Sequence, residues 1–232
     1  MKLILTGATG FAGGEVLRQA LNDAAIERVS VLTRRPIGVV HAKLRELVLE
    51  DFLDYSRVDL NDCDACIWCL GVSQARVSEQ AYIRITFDYT VAAATAMFAA
   101  NPRLRFCFVS GQSADPGETK SALFARIKGR TERALSDLGG DVVNFRPGII
   151  RASAQSGPRK DLARLAAPLG ALLSFFNADF SVDCDQLARC LLDVAKHGSD
   201  QKLLVNQAIR GWTPRKTAAA APRLGSPIEG NR

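Results

Sequence analysis

The chain has 232 residues, 47% of them hydrophobic, 23% charged and 7% aromatic, which excludes a disordered chain, a collagen-like fibre and a coiled coil. The length suits one domain with a sizeable core, alone or with a small lobe. The net charge of +6 raises a nucleic acid or an anionic membrane as a partner, but half of that excess comes from Arg215, Lys216, Arg223 and Arg232 against Glu229 in residues 211–232.

Short β-rich apolar runs alternate with longer helical stretches, the pattern of an α/β fold with a doubly wound parallel sheet. Lys2–Leu5 reads as the first strand, and Gly13–Asn22 as a helix with Val16, Leu17, Ala20 and Leu21 on one stripe. Val29–Leu32 is a second strand and Leu44–Leu49 a weaker third. Ala65–Leu70 is a fourth, followed by an Ala-rich helix from Ser78 to Ala100 that ends at Asn101-Pro102. Arg105–Val109 is the fifth strand, Ser121–Leu138 a helix and Asp141–Phe145 the sixth strand, stopped by Arg146-Pro147-Gly148. Beyond it, Leu162–Phe176 is apolar all round and reads as a core or lid helix, with a membrane-touching or partner-binding surface as the alternative. Asp185–Lys196 is amphipathic with its cap at Asp185, and Lys202–Asn206 suits a last short strand. The expected division is a dinucleotide-binding core in 1–150, a small substrate or lid lobe in 151–210 that completes it, and a disordered basic tail in 211–232.

Thr6-Gly7-Ala8-Thr9-Gly10-Phe11-Ala12-Gly13 follows a strand and opens a helix. Gly7 permits the tight turn, Gly10 lets backbone approach a pyrophosphate, and Gly13 allows the helix to pack closely on the strand. The helix N-terminus offers unpaired N–H groups to the phosphates. After the second strand stand Arg34 and Arg35, with no acid for a ribose 2′-hydroxyl. Arginine suits a 2′-phosphate, so NADP(H) is favoured over NAD(H). Asp51 and Phe52 follow the third strand and are placed to border an adenine. Leu70, Gly71 and Val72 end the fourth, where small or apolar residues let backbone pass near a ribose.

These motifs, with Cys69-Leu70-Gly71, Val109-Ser110 and Arg146-Pro147-Gly148 at the strand ends, resemble those of the atypical short-chain dehydrogenase/reductases. Within them the chain looks most similar to the NmrA-like and Tat-interacting-protein-like branch, related to nucleotide-sugar epimerases, and the similarity runs to about residue 210. The resemblance implies a Tyr-x-x-x-Lys pair on the helix after the fifth strand and a Ser at that strand's end. The tyrosine moves the proton of the substrate oxygen, the lysine binds the nicotinamide ribose, and the serine orients the carbonyl. The matching segment is Phe124-Ala125-Arg126-Ile127-Lys128: the lysine is present and the tyrosine is phenylalanine. The serine is Ser110 or Ser113, and the proton donor is absent or displaced to Tyr82, Tyr89, one of those serines or water. Pro147, Gly148 and Ile149 resemble the loop whose backbone N–H groups meet the carboxamide.

The remaining features are negative expectations. The apolar run after Met1 is interrupted at Thr6-Gly7, too early for a secretory leader, and no stretch reaches the roughly 18 apolar residues that span a bilayer. A cytoplasmic protein with reduced thiols is therefore expected. Cys63-x-x-Cys66-x-x-Cys69 looks like part of an iron–sulfur signature, but strand alternation sends Cys66 away from the other two and no metal site is expected. His41 and His197 read as surface residues. Without a basic stripe or interleaved aromatics in the body, nucleic acid is not an expected partner. A small carbonyl substrate and, as the alternative, a regulatory protein partner are. The two functions left open are an NADP(H)-dependent oxidoreductase or epimerase-like enzyme and a catalytically impaired NADP(H)-binding sensor or scaffold.

Overall fold

Leu3, Ile4 and Leu5 are apolar without alternation, the signature of a strand covered on both faces. In the computed structural model, which describes residues 1–152 and 180–215, they lie in β1 (Lys2–Thr6) near the middle of the main sheet. That sheet has seven strands, all paired in parallel. With β2 (Arg28–Thr33), β3 (Leu44–Val48), β4 (Ala65–Trp68), β5 (Arg105–Val109), β6 (Asp141–Arg146) and β9 (Leu203–Val205), its order is β3-β2-β1-β4-β5-β6-β9. The direction of winding reverses between β1 and β4. In doubly wound folds the crevice at that switch point takes the ligand.

The pleat divides the core into two layers. Leu3, Leu5, Val29, Val31, Ile67, Cys107 and Phe145 face Val16, Leu17 and Ala20 of α1 (Phe11–Asn22) and Leu187, Leu191 and Val194 of α5 (Cys184–His197). Ile4, Cys66, Trp68, Phe106 and Phe108 face the other way, onto Ala93, Ala94 and Met97 of α3 (Tyr89–Ala100) and Leu135 of α4 (Leu123–Asp137). Trp68 and Phe106 stack across β4 and β5 with ring centroids 5.9 Å apart.

The expected single helix over 78–100 is interrupted. Ser78 Oγ accepts from Ala81 N and caps α2 (Glu79–Ile83), and a π turn over Arg84–Asp88 then leads into α3. Tyr89 N–H reaches back five residues to the Arg84 carbonyl, while the Thr86 carbonyl takes the Thr90 hydroxyl at 2.7 Å. Hydroxyl back-bonding of this kind competes with the regular ladder.

Two other local expectations are corrected. Ile149–Arg151 does not merely follow a strand stop: it forms β7, paired in parallel with β8 (Ser181–Asp183) in a small second sheet. Extending β8 to Asp183 moves the start of α5, so Asp183 rather than Asp185 is its N-cap, in a capping box with Gln186. Asp185 instead pairs with Arg189 at 3.0 Å. Cys63 precedes β4, outside the strand alternation, and packs in the same layer as Cys66 while Cys69 packs in the opposite one. None of the six cysteines forms a disulfide, and no three potential ligands converge on a metal site among the described residues. No helix among those residues is long and apolar enough to cross a membrane.

The first residues of the expected tail are held in place. Trp212 Nε1 donates to Asp193 Oδ2 at 3.0 Å and Arg215 N donates to Asp193 Oδ1 at 3.2 Å, so a carboxylate only 3% exposed anchors 212–215, which follow the short α6 (Asn206–Arg210), on α5. The apolar segment Leu162–Phe176, the rest of 153–179 and the tail from 216 onward lie outside the described residues. In a Trp68→Phe background, Trp212 is the one remaining indole. Asp193→Ala is then expected to shift its fluorescence to the red and to lower stability by about 1.5–3 kcal/mol in urea unfolding, the usual worth of hydrogen bonds to a charged group.

Candidate functional site

The crevice at the switch point is shaped first by glycines. Gly7 has φ +68°, and a Cβ on it would stand 2.5 Å from the Cys69 carbonyl oxygen. A Cβ on Gly13 would stand 2.3 Å from the Gly7 oxygen. Neither position tolerates a side chain without moving backbone, which holds β1, the end of β4 and α1 in contact. Thr6 Oγ1 accepts from Leu70 N at 3.0 Å and fastens the same junction. Gly10 is the N-cap of α1, with no side-chain cap and no acid in the first turn. The first-turn N–H groups are thus presented toward the crevice without a side-chain competitor, beside exposed Thr9, Gly10 and Phe11 and half-buried Ala12. This cradle fits the pyrophosphate of a dinucleotide.

On the β2 side, Arg34 and Arg35 are exposed and neither forms an ion pair among the described residues. The Thr33 hydroxyl donates to the Arg35 carbonyl at 2.7 Å and pins the turn that carries both. Asp51 and Phe52 part company. Asp51 stays at the rim, paired with Arg84 at 3.4 Å, whereas Phe52 is 2% exposed and stacks on Tyr89 with centroids 5.6 Å apart. The Phe52 side chain therefore belongs to the core and not to an adenine surface. Leu70 packs on the core, Val72 is half-buried, and Gly71 is exposed with open space where a Cβ would stand.

At the other end of the crevice Lys128 is fastened to the end of β5, one residue before Ser110. Lys128 Nζ donates to the Val109 carbonyl at 2.8 Å and lies 4.6 Å from the centre of the Phe108 ring. The side chain is buried at 7% exposure, and burial pushes its pKa down to about 8 against the raising influence of Glu132. Ser110 is equally buried, its Oγ without a hydrogen-bond partner, while its N–H is fixed to the Phe145 carbonyl at 2.7 Å. Ser113 is exposed, on a loop where its carbonyl accepts from Lys120 Nζ. Of the two candidate serines, Ser110 is the buried one and follows directly the Val109 carbonyl that Lys128 holds.

Phe124 lies one helical turn before Lys128, its ring seated on Gly111, where a Cβ would come 2.5 Å from Cζ. Tyr82 is 1% exposed and Tyr89 is stacked on Phe52, and neither phenol bonds Ser110 or Lys128. The Pro147–Ile149 loop differs from expectation. The Gly148 N–H is already committed to Asn206 Oδ1 at 2.7 Å, the Pro147 carbonyl accepts from Gln112 N, and Ile149 begins β7.

Three further residues shape this end. Glu132, 4% exposed, is gripped by Arg146 through Nε at 2.9 Å and Nη2 at 2.5 Å, tying α4 to the end of β6. Gln74 Oε1 accepts the Phe124 N–H at 3.0 Å, linking the loop after β4 to the first turn of α4. The position of Glu132, four residues beyond Lys128 and so on the same helix face, was the available sequence signal for the first; Gln74 and Asn206 had none. Gly13→Ala is expected to raise the dissociation constant of a nicotinamide dinucleotide at least ~10-fold by calorimetry, because the loss of ~1.4 kcal/mol of phosphate contact suffices.

Comparison with known proteins agrees with this geometry. Residues 3–134 match the model of the NAD dependent epimerase/dehydratase family. Protein HTATIP2 of Rattus norvegicus is 26% identical over 216 residues, covering 89% of this chain and 87% of that one. Leucinostatins biosynthesis cluster protein T of Purpureocillium lilacinum is 30% identical over 146 residues, 61% of this chain and 53% of its own length. Among solved structures, the Bordetella bronchiseptica enzyme WbmF in complex with NAD+ superposes with a TM-score of 0.65 at 12% identity, over 88% of this chain and 71% of that chain. A Burkholderia thailandensis oxidoreductase of the short-chain dehydrogenase/reductase family gives 0.63 at 16% identity, over 90% and 93%. With the family model matching more than half of its length, the chain belongs to the NAD dependent epimerase/dehydratase family.

Proposed function

We propose that the protein is an NADP(H)-dependent oxidoreductase, or an epimerase-like enzyme, acting on a small carbonyl substrate. The observation that carries the cofactor choice is the pair Arg34 and Arg35, exposed and without ion-pair partners at the end of β2. Two guanidiniums at that place match a 2′-phosphate, and no carboxylate follows the strand to receive a 2′-hydroxyl. The glycine cradle would hold the pyrophosphate, and Lys128 would reach the nicotinamide ribose from beneath. The bound nicotinamide supplies or accepts a hydride. Ser110 offers its unpartnered hydroxyl to the substrate oxygen at the same strand end.

A second reading rests on Phe124, which has no hydroxyl where the family resemblance places one. On that reading the protein binds NADP(H), turns over little, and signals cofactor state to a regulatory protein partner. Turnover of NADPH against a panel of quinones, aldehydes and ketones separates the two. Activity in the wild type favours the enzyme, and activity appearing only in Phe124→Tyr favours the sensor.

For the cofactor, the double variant Arg34→Ala, Arg35→Ala is expected to raise the NADPH dissociation constant at least ~10-fold, the loss of one bidentate phosphate contact. NADH binding should change less than about 2-fold. Equal losses for both dinucleotides would remove the case for NADP(H).

A further inference from the structure

Reduction of a carbonyl needs a proton as well as a hydride, and the family position for its donor holds Phe124. We propose that Lys128 Nζ is itself the acid–base group, giving its proton to the substrate oxygen in reduction and taking it back in oxidation. The inference rests on the oxidoreductase reading above and names the group that completes it.

The geometry isolates this ammonium. Of its three N–H bonds, one is used on the Val109 carbonyl; no other hydrogen bond or ion pair to it exists among the described residues. Its natural counter-ion is Glu132, one turn further along the same face of α4. Both oxygens of that carboxylate are instead taken by Arg146 from the end of β6, at 2.9 and 2.5 Å. The group facing Lys128 from the end of β4 is Cys69, a neutral thiol because burial pushes its pKa up to about 12. From β5 it meets the Val109 backbone carbonyl and the face of Phe108 at 4.6 Å, which steadies a cation but cannot take a proton.

A buried ammonium so placed gives up its proton far more readily than an exposed lysine, whose pKa is about 10.4. Its own, about 8, is matched to proton transfer near neutral pH. The step balances. For each carbonyl reduced, a hydride from the nicotinamide forms the new C–H bond while one Lys128 N–H bond breaks and an O–H bond forms. The neutral amine left behind regains its proton from water.

The test combines kinetics with direct titration. With NADPH and 9,10-phenanthrenequinone, backed by a panel of aldehydes and ketones, kcat/KM for reduction is expected to fall above pH ~8. In protein labelled with 13Cε-lysine, the resonance assigned by its loss in Lys128→Arg should titrate with the same midpoint, whether or not a substrate is present. Lys128→Arg keeps a charge and a donor but holds its proton throughout, so kcat at saturating NADPH should drop at least ~100-fold and the alkaline limb of the pH profile should disappear. Glu132→Gln leaves the Arg146 charge uncompensated beside Lys128, so the alkaline limb should move to lower pH, a change that damage to packing alone would not produce. A resonance titrating above pH ~10, or near-wild-type kcat in Lys128→Arg, overturns this inference and leaves the oxidoreductase reading standing. Tight NADPH binding with no reduction of any acceptor at any pH overturns both.

Discussion

Gly7 touches the end of β4 more closely than any side chain allows, and the site is organised around that contact. Because its Cβ would stand 2.5 Å from the Cys69 oxygen, β1 can turn immediately against its neighbour and send α1 back over the sheet. A second contact of the same kind, Gly13 on the Gly7 oxygen, lays the helix into the turn. The consequence is directional: the uncapped N-terminus of α1 ends at the place where the sheet reverses its winding. A bulkier residue at either position would separate the phosphate cradle from the strand ends that carry the rest of the site.

The far end of the crevice is held by buried polar groups. Arg146 and Glu132 bridge β6 and α4, and Gly129 lets the Asp115–Pro116 backbone lie directly on that helix, where a Cβ would come 2.0 Å from Asp115. Asn206 reaches from α6 to the Gly148 N–H and the Ser181 carbonyl. A buried ion pair adds little net stability against an apolar replacement, but it fixes one arrangement among many. Here it fixes the rotation of α4, and with it the height of Lys128 against β5.

Much of this was legible in the sequence because its signals are local. The glycine motif lies within one strand–turn–helix, and the continuous apolar runs of β1, β4 and β5 announce strands covered on both faces. Each of the seven strands of the main sheet coincides with one of the segments so read, with β1, β2 and β6 running a residue further at one or both ends. What escaped depends on distant partners. Ile149–Arg151 is too short to declare itself, and pairs only because β8 arrives after some 30 residues. The Gly148 N–H is occupied by Asn206, 58 positions away. Phe52 and Asp51 are neighbours in sequence, yet one faces the core and the other solvent, a division set by Tyr89 and Trp68. Cys63 departs for a different reason: it lies two residues before β4 begins, where strand alternation does not hold.

The π turn at Arg84–Asp88 divides the long helix after β4. Its i→i+5 hydrogen bonding places one residue more in the turn than a regular helix does. Upstream of it, the phase is set by the Ser78 cap and the burial of Tyr82; downstream, by Ala93, Ala94 and Met97 against the sheet. Each residue added to or taken from a helix turns everything beyond it by about 100°. The two halves of this helix thus keep independent registers, and the five residues between them are where a change of one residue in its length would leave both packed faces in place.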